Sequence, residues 1–376
     1  MTDQFSGLQL QSTIDASGTL TIDLVDVTVG APGPDEVVVQ VEAAPINPSD
    51  LALLLGPADL DTLTVSGSRG RPSISAQVPA EVRGLVSNRI GMAITPGNEG
   101  AGRVVAAGSN ARDLVGKRVG MWGGAMYAQY RKLSRNECVL LPEDATAAEG
   151  ASIFVNPLTA LAFVETMRLE NHTGIVHLAA ASNLGQMLNR VCIKEDIPLV
   201  NIVRKPEQAT LLRNAGARYV LDSSADGYED ALVEALYETG ATIAFDPIRG
   251  GRSACQILAA MEAAAVRNET GHIRYGTDVL KQVYNYGTFD FSPVIIDRWF
   301  GFAWSLGGWL LTPRLRQLGP QGIARLQARV ISELKTTFAS HYTAALSLAK
   351  VLDSDTIRAF SRKATGEKYL IEPQVE

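Results

Sequence analysis

"GIVHLAAASNLGQM", residues 174–187, changes character halfway. Gly174–Ala179 is an apolar strand, and the small residues Ala180, Ala181 and Ser182 then turn into a helix that opens near Gly185. A strand, a tight turn and a helix N-terminus bring free backbone N–H groups and the positive end of a helix dipole to one point, which suits an anion. The small side chains let a ligand approach the backbone closely. Of the G-x-G-x-x-G fingerprint only the last glycine, Gly185, stands.

Downstream, "PLVNIVR", "EQATLLRNAG", "ARYVLDSS", "GYEDALVEALYETG" and "ATIAFD" alternate strand and helix. That rhythm predicts a parallel, doubly wound sheet. At the end of "LVNIVRK", a NAD-preferring site would carry an acid for the ribose hydroxyls. Arg204 and Lys205 stand there instead, and two cations suit a 2′-phosphate. The plainer alternative is a solvated Arg-Lys pair.

Upstream of residue 146 the chain reads as β-rich. "TLTIDLVDVTV" and "EVVVQVEAAPI" are followed by shorter strands in "GRVVAAGS", "GKRVGMW" and "YAQYRKLS", with glycine and proline turns that suggest a barrel or sandwich. "TPGNEGAG", residues 95–102, sets Asn98 and Glu99 among three glycines. Residues 58–93 interrupt the pattern with small and polar residues and with Arg69, Arg71, Arg83 and Arg89. They read as a surface excursion, or alternatively as a lid or anion-facing wall over a site.

With 376 residues and a net charge of −6, the chain has room for two cores and no basic surface for nucleic acid. The start, "MTDQFSGLQLQ", lacks a signal-peptide layout, and no apolar run reaches a membrane span, "ASIFVNPLTALAFV" being broken by Asn156 and Pro157. Cys138, Cys192 and Cys255 lie far apart without a CxxC, so the expected compartment is a reducing cytoplasm.

Together "AAPINPSDL", "PGNEGAGRVVAAGS", "GKRVG", "AMYAQY", "NPLTA", the "AAASNLG" turn, "NAGARYVLD", "ATIAFD", "YNYGTF" and "ATGEKYLIEP" resemble the medium-chain dehydrogenase/reductase superfamily. Within it they are similar to the zinc-free quinone oxidoreductases and 2-enoyl reductases. The resemblance implies an α/β protein: a GroES-like β-rich catalytic domain over 1–157 and 339–376, and a Rossmann doubly wound parallel-sheet domain over 158–338 that binds NADPH. It also implies a homodimer paired near "AWSLGGWLL".

The zinc-using members place ligands where this chain has Asn47, Asn98 and Val155, and an amide is a poor zinc ligand and valine none. The resemblance therefore implies no metal, and Glu99 becomes a buried structural partner. It places Thr159 at the nicotinamide amide, Ser182, Asn183 and Leu184 at the pyrophosphate, Arg204 and Lys205 at the 2′-phosphate, and Tyr286 and Gly287 near the nicotinamide. Enoyl reductases of the family carry a tyrosine shortly after "NPSD", and "LALLLGPADL" has none. The substitute donors are Asn47, reaching the nicotinamide pocket, and Tyr127, for which packing at a strand end is an equal reading. His177 reads as a satisfied core histidine.

The expected activity is NADPH-dependent, zinc-independent hydride transfer to quinones or carbonyl-conjugated alkenes. Reduction of 2-enoyl thioesters is the close alternative, with the arginines of 58–93 as a phosphate-binding surface. A non-catalytic NADPH-binding protein of the same fold is a third.

Overall fold

The computed structural model describes residues 4–68, 70–270 and 272–375. Arg69 lies outside the described residues. The chain forms two compact units, Met1–Val155 with Gln327–Glu376, and Asn156–Leu326. The boundary at Gln327 falls in the second of two helical stretches that meet at Gly319, where φ is +70°.

In the first unit run β1 (Phe5–Ile14), β2 (Thr19–Val29), β3 (Glu36–Pro45), α1 (Pro48–Leu54), β4 (Asp59–Ser68), β5 (Arg71–Gln77), β6 (Glu99–Ala107), β7 (Arg118–Trp122), β8 (Tyr130–Ser134), β9 (Cys138–Leu140) and α2 (Ala147–Gly150). β2 shows why they pair: Leu20, Ile22 and Leu24 alternate inward onto one core face. One sheet has the order β1-β2-β5-β4. The glycines of 95–102 allow close passage between neighbouring segments. Gly97 has φ +99°, and a Cβ on Gly102 would stand 2.1 Å from the Gln40 carbonyl oxygen.

Residues 58–93 form the β4–β5 hairpin and a 3₁₀ run, Ala80–Arg89, and their arginines are engaged locally. Arg71 grips Asp26 with both guanidinium ends, at 3.2 and 2.8 Å. Arg83 Nε donates to the Val78 carbonyl, and Arg89 donates to the carbonyls of Ala52 and Leu53 and to Ser12 Oγ. These three hold their own unit together.

The second unit runs through α3 (Val155–Leu169), β10 (Ile175–Leu178), α4 (Asn183–Lys194), β11 (Leu199–Val203), α5 (Pro206–Asn214), β12 (Tyr219–Asp222), α6 (Tyr228–Thr239), β13 (Ile243–Asp246), β14 (Arg249–Gly251), α7 (Ser253–Val266), β15 (Lys281–Asn285), β16 (Asp290–Val294), β17 (Trp304–Gly308) and most of α8 (Leu311–Ser332), which kinks at Gly319 and ends past the unit's limit. Pro206 opens α5 where no N–H is needed, and α6 stops at the left-handed Gly240. Six parallel strands lie in the order β12-β11-β10-β13-β15-β17. Counted from β10, this is the doubly wound order 3-2-1-4-5-6, whose ligand crevice lies beyond the carboxyl ends of the strands.

The tail adds β18 (Ala344–Leu346), α9 (Leu348–Val351), α10 (Ser354–Ser361) and β19 (Tyr369–Ile371) to the first unit. β19 pairs antiparallel with β3, setting Leu370 opposite Pro45 in a sheet ordered β18-β19-β3-β6-β7-β9, with β8 also on β3.

Among the described residues, the stretch Ala147–Leu169 is long and apolar enough to cross a membrane by length and composition, with residues 151–154 forming turns between α2 and α3. Pro157 falls in the first turn of α3, where its missing N–H costs nothing. The stretch is mostly buried, as in the core helix of a globular fold.

Candidate functional site

The carboxyl edge of the parallel sheet collects most of the expected ligand-binding residues. After β10, Ala179 takes a left-handed φ of +50°, which an alanine adopts only at a cost. Ser182 caps α4, its Oγ accepting the Gly185 N–H at 3.2 Å. A Cβ on Gly185 would lie 2.1 Å from the Ala180 carbonyl oxygen, so only glycine permits this closeness of helix and turn. Asn183 and Leu184 form the first turn, Leu184 buried and Asn183 partly exposed.

Beside this turn β11 ends at Val203 and leaves Arg204 and Lys205 exposed. The Arg204 backbone is held on both sides, its N–H donating to Gln208 Oε1 at 3.1 Å and its carbonyl accepting from Ser224 Oγ at 3.2 Å. Further along the edge, the Tyr286 N–H donates to the Asp246 carbonyl at 3.0 Å. Gly287 passes so near Pro247 that a Cβ would meet its carbonyl oxygen at 2.9 Å. Thr159 is buried on α3, one turn before Phe163, whose ring stacks on Phe245 at 3.8 Å and meets the Tyr286 ring edge-on at 4.9 Å.

His177 departs from its reading as a satisfied core residue. Its Nε2 lies 2.8 Å from the Tyr286 hydroxyl, but its buried Nδ1 has no hydrogen-bond partner among the described residues. Burial lowers its pKa to about 3, so the ring is neutral.

The first unit holds a separate buried polar cluster around Asn47, which caps α1. The Asn47 N–H donates to Asp50 Oδ2 at 2.8 Å, and its side-chain amide donates to Glu99 Oε1 at 2.9 Å. Glu99 Oε2 accepts the N–H groups of Phe154 at 2.8 Å and Val155 at 2.9 Å. Asp50 Oδ1 takes the Asn98 N–H at 2.7 Å, while the Asn98 amide turns to Ser49 Oγ. Lys368, delivered by the tail, donates to Ser152 Oγ at 2.7 Å. Burial, with a smaller push from the Glu99 charge, raises Asp50 to about 7 against the pull of its backbone donors. Burial raises Glu99 as well, and it lowers Lys368 to about 8 despite the nearby Glu99 and Asp50 carboxylates.

This donor set does not fit zinc. The Asn47 amide donates an N–H to Glu99, the Asn98 amide bonds Ser49, and Val155 has no ligating side chain. Among the described residues no three His, Cys, Asp or Glu side chains are grouped to hold a metal.

Tyr127, the other candidate donor, is held by packing and a backbone acceptor. It is fully buried, and its hydroxyl donates to the Pro45 carbonyl at 3.0 Å. Burial and the Asp50 carboxylate hold its pKa well above that of an ordinary phenol. It is a packing aromatic. Asp50 and Lys368 had no signal in the sequence: one sits inside the "NPSD" helix cap, the other comes from the far tail.

Residues 33–143 match the alcohol dehydrogenase GroES-like domain, and the second unit supplies the doubly wound sheet that completes the pattern. The chain is thus similar to members of the medium-chain dehydrogenase/reductase superfamily. A provisionally assigned NADPH:quinone reductase from Mesorhizobium loti shares this superfamily's fold with it at a TM-score of 0.71 and 23% identity, over 98% of each chain. A mutant enoyl thioester reductase from Candida tropicalis gives 0.66 and 18%, over 98% of this chain and 100% of the other. Among curated relatives, the mitochondrial enoyl-acyl-carrier-protein reductase of Bos taurus is 28% identical over 53% of this chain and 48% of its own length. The synaptic vesicle membrane protein VAT-1 homolog of Rattus norvegicus is 26% identical, over 60% and 49%. The chain thus spans about half the length of the curated relatives it matches.

Proposed function

We propose that this medium-chain reductase is an NADPH-dependent, zinc-independent oxidoreductase that transfers hydride to quinones or carbonyl-conjugated alkenes. One observation carries the reading: exposed Arg204 and Lys205 stand beside a glycine-gated turn at the carboxyl edge of a 3-2-1-4-5-6 sheet. The turn suits a pyrophosphate, since the α4 N-terminus opens on it and Gly185 lets the helix close tightly on the Ala180 backbone. Arg204 and Lys205 would hold the 2′-phosphate. Ser182, Asn183 and Leu184 would line the pyrophosphate, and Thr159, Tyr286 and Gly287 would position the nicotinamide. NADPH supplies the hydride when bound.

The chain's own part is to orient that donor and stabilise the charge arriving on the acceptor. Asn47 remains the proposed hydrogen-bond donor to the acceptor oxygen. Its amide is already oriented by Glu99, which is the preorganisation such a donor needs. A delocalised enolate or hydroquinone anion is held by ordinary donors more easily than a localised alkoxide is. Reduction of 2-enoyl thioesters is the second reading, favoured by the enoyl reductases among the curated relatives. Among the described residues, Arg71, Arg83 and Arg89 are engaged locally, which counts against their serving as a surface for a thioester's phosphate arm. We further propose a cytoplasmic homodimer.

NADPH oxidation by the purified protein against quinones, enones, enals and enoyl thioesters tests the reading. Turnover of quinones or enones is expected, thioester turnover alone would favour the second reading, and no turnover would refute both. Arg204→Asp should weaken NADPH binding about 10- to 150-fold and abolish the preference over NADH. Unchanged discrimination would place the phosphate elsewhere.

A further inference from the structure

His177 sits in the middle of β10, and Tyr286 follows the end of β15; β13 lies between these two strands. Their 2.8 Å bond therefore spans the width of three strands, beside the Phe163–Phe245 stack. Two residues past His177 begins the turn Ala179–Ser182, and one residue past Tyr286 comes Gly287, pressed against Pro247. The bond links the two turns that the proposed function assigns to opposite ends of the dinucleotide.

Stability alone does not account for the pair. A neutral imidazole has one N–H and one lone pair, and Tyr286 satisfies only one of them whichever group donates. Nδ1 is left buried and without a partner among the described residues, an arrangement that weakens the fold. A leucine would fill the same space beside Phe163 and Phe245 without that penalty.

We propose that His177 is a positioning residue for the cofactor: by gripping Tyr286 across β13, it sets the spacing between the pyrophosphate turn and the nicotinamide turn. The inference rests on the reading of this edge as the NADPH site. It assigns His177 and Tyr286 a joint effect on ligands long enough to reach both turns and none on ligands that occupy one.

The test is calorimetric binding to the full-length protein of NADPH and of adenosine 2′,5′-bisphosphate, which reaches only the adenosine end. The double variant His177→Leu/Tyr286→Phe removes both polar partners, so its melting temperature should equal or exceed that of the wild type. It should bind the bisphosphate with wild-type affinity and NADPH about 3- to 10-fold more weakly, the loss expected for one hydrogen bond. His177→Gln, which can still bond the Tyr286 hydroxyl, should restore most of the NADPH affinity. Should the double variant not fold, His177→Leu alone, which leaves Tyr286 in place, gives the comparison against His177→Gln. Equal NADPH affinity in variant and wild type overturns the inference, as does a parallel loss for both ligands. A wild-type protein that binds no NADPH refutes the proposed function, and the inference with it.

Discussion

The side-chain amide of Asn47, the cap residue of α1, donates to Glu99 Oε1 at 2.9 Å. The bond holds a carboxylate whose other oxygen receives two backbone N–H groups. Protein purified without added metal should hold far less than one zinc per chain, and a chelator should leave turnover unchanged. Stoichiometric zinc lost together with activity would contradict this. Asn47→Ala should lower unfolding stability by about 1–3 kcal/mol in denaturant titration, because Glu99 loses a buried donor.

Ala179 gives a prediction of opposite sign. Its φ of +50° is free to glycine and costs an alanine roughly 1–2 kcal/mol, so Ala179→Gly should stabilise the protein by about 0.5–1 kcal/mol after the added flexibility of the unfolded chain is deducted. Gly185→Ala should destabilise strongly, since its Cβ would stand 2.1 Å from a carbonyl oxygen that the turn holds in place. Equal stability of both variants and the wild type would mean that the turn is looser than its backbone angles indicate.

Local patterns were legible, and contacts between distant segments were not. β10, α4 and β11 announce themselves through apolar runs, a serine cap and a glycine, and Arg204 and Lys205 follow within a few residues. β4 and β5 were hidden because "TLTVSGSRGRPSISAQ" is polar on both faces and buries little beyond Ile74 and Ala76. β1 was masked by glutamines and serines between Leu8, Leu10 and Ile14. Tyr127 could be read either way until its hydroxyl was found on Pro45. Lys368 reaches the Asn47 cluster only because β19 pairs with β3, and His177 meets Tyr286 only across an intervening strand.

The buried acids predict a pH dependence. Asp50 rises from 3.8 to about 7 on folding, so between those values the folded chain holds a proton that the unfolded chain has released. Stability should then fall as pH rises from about 4 to about 7, and Glu99 shifts in the same direction. Lys368, lowered from 10.5 to about 8, acts oppositely and adds stability as pH rises between those values. Melting temperatures from pH 4 to 7.5 should decline less steeply in Asp50→Asn than in the wild type. Equal slopes would show that Asp50 ionises normally.

The six-stranded order ends at β17, whose outer edge has no partner strand among the described residues. Trp299, Phe302 and Leu310 flank it and are largely exposed, apolar surface that a second copy of the chain would cover. Light scattering at micromolar concentration should give twice the mass of one chain, and Trp299→Glu with Phe302→Glu should give a monomer. The mass of a single chain for the wild type would contradict the dimer.

The central claim is direct hydride transfer from NADPH to a conjugated acceptor. NADPH carrying deuterium on its transferring face, turned over with an enone, provides the most direct test. The account predicts deuterium at the β-carbon of the saturated product and a solvent-derived proton at the α-carbon. Deuterium lost to water, or efficient oxidation of a simple unconjugated alcohol with NADP⁺, would contradict it.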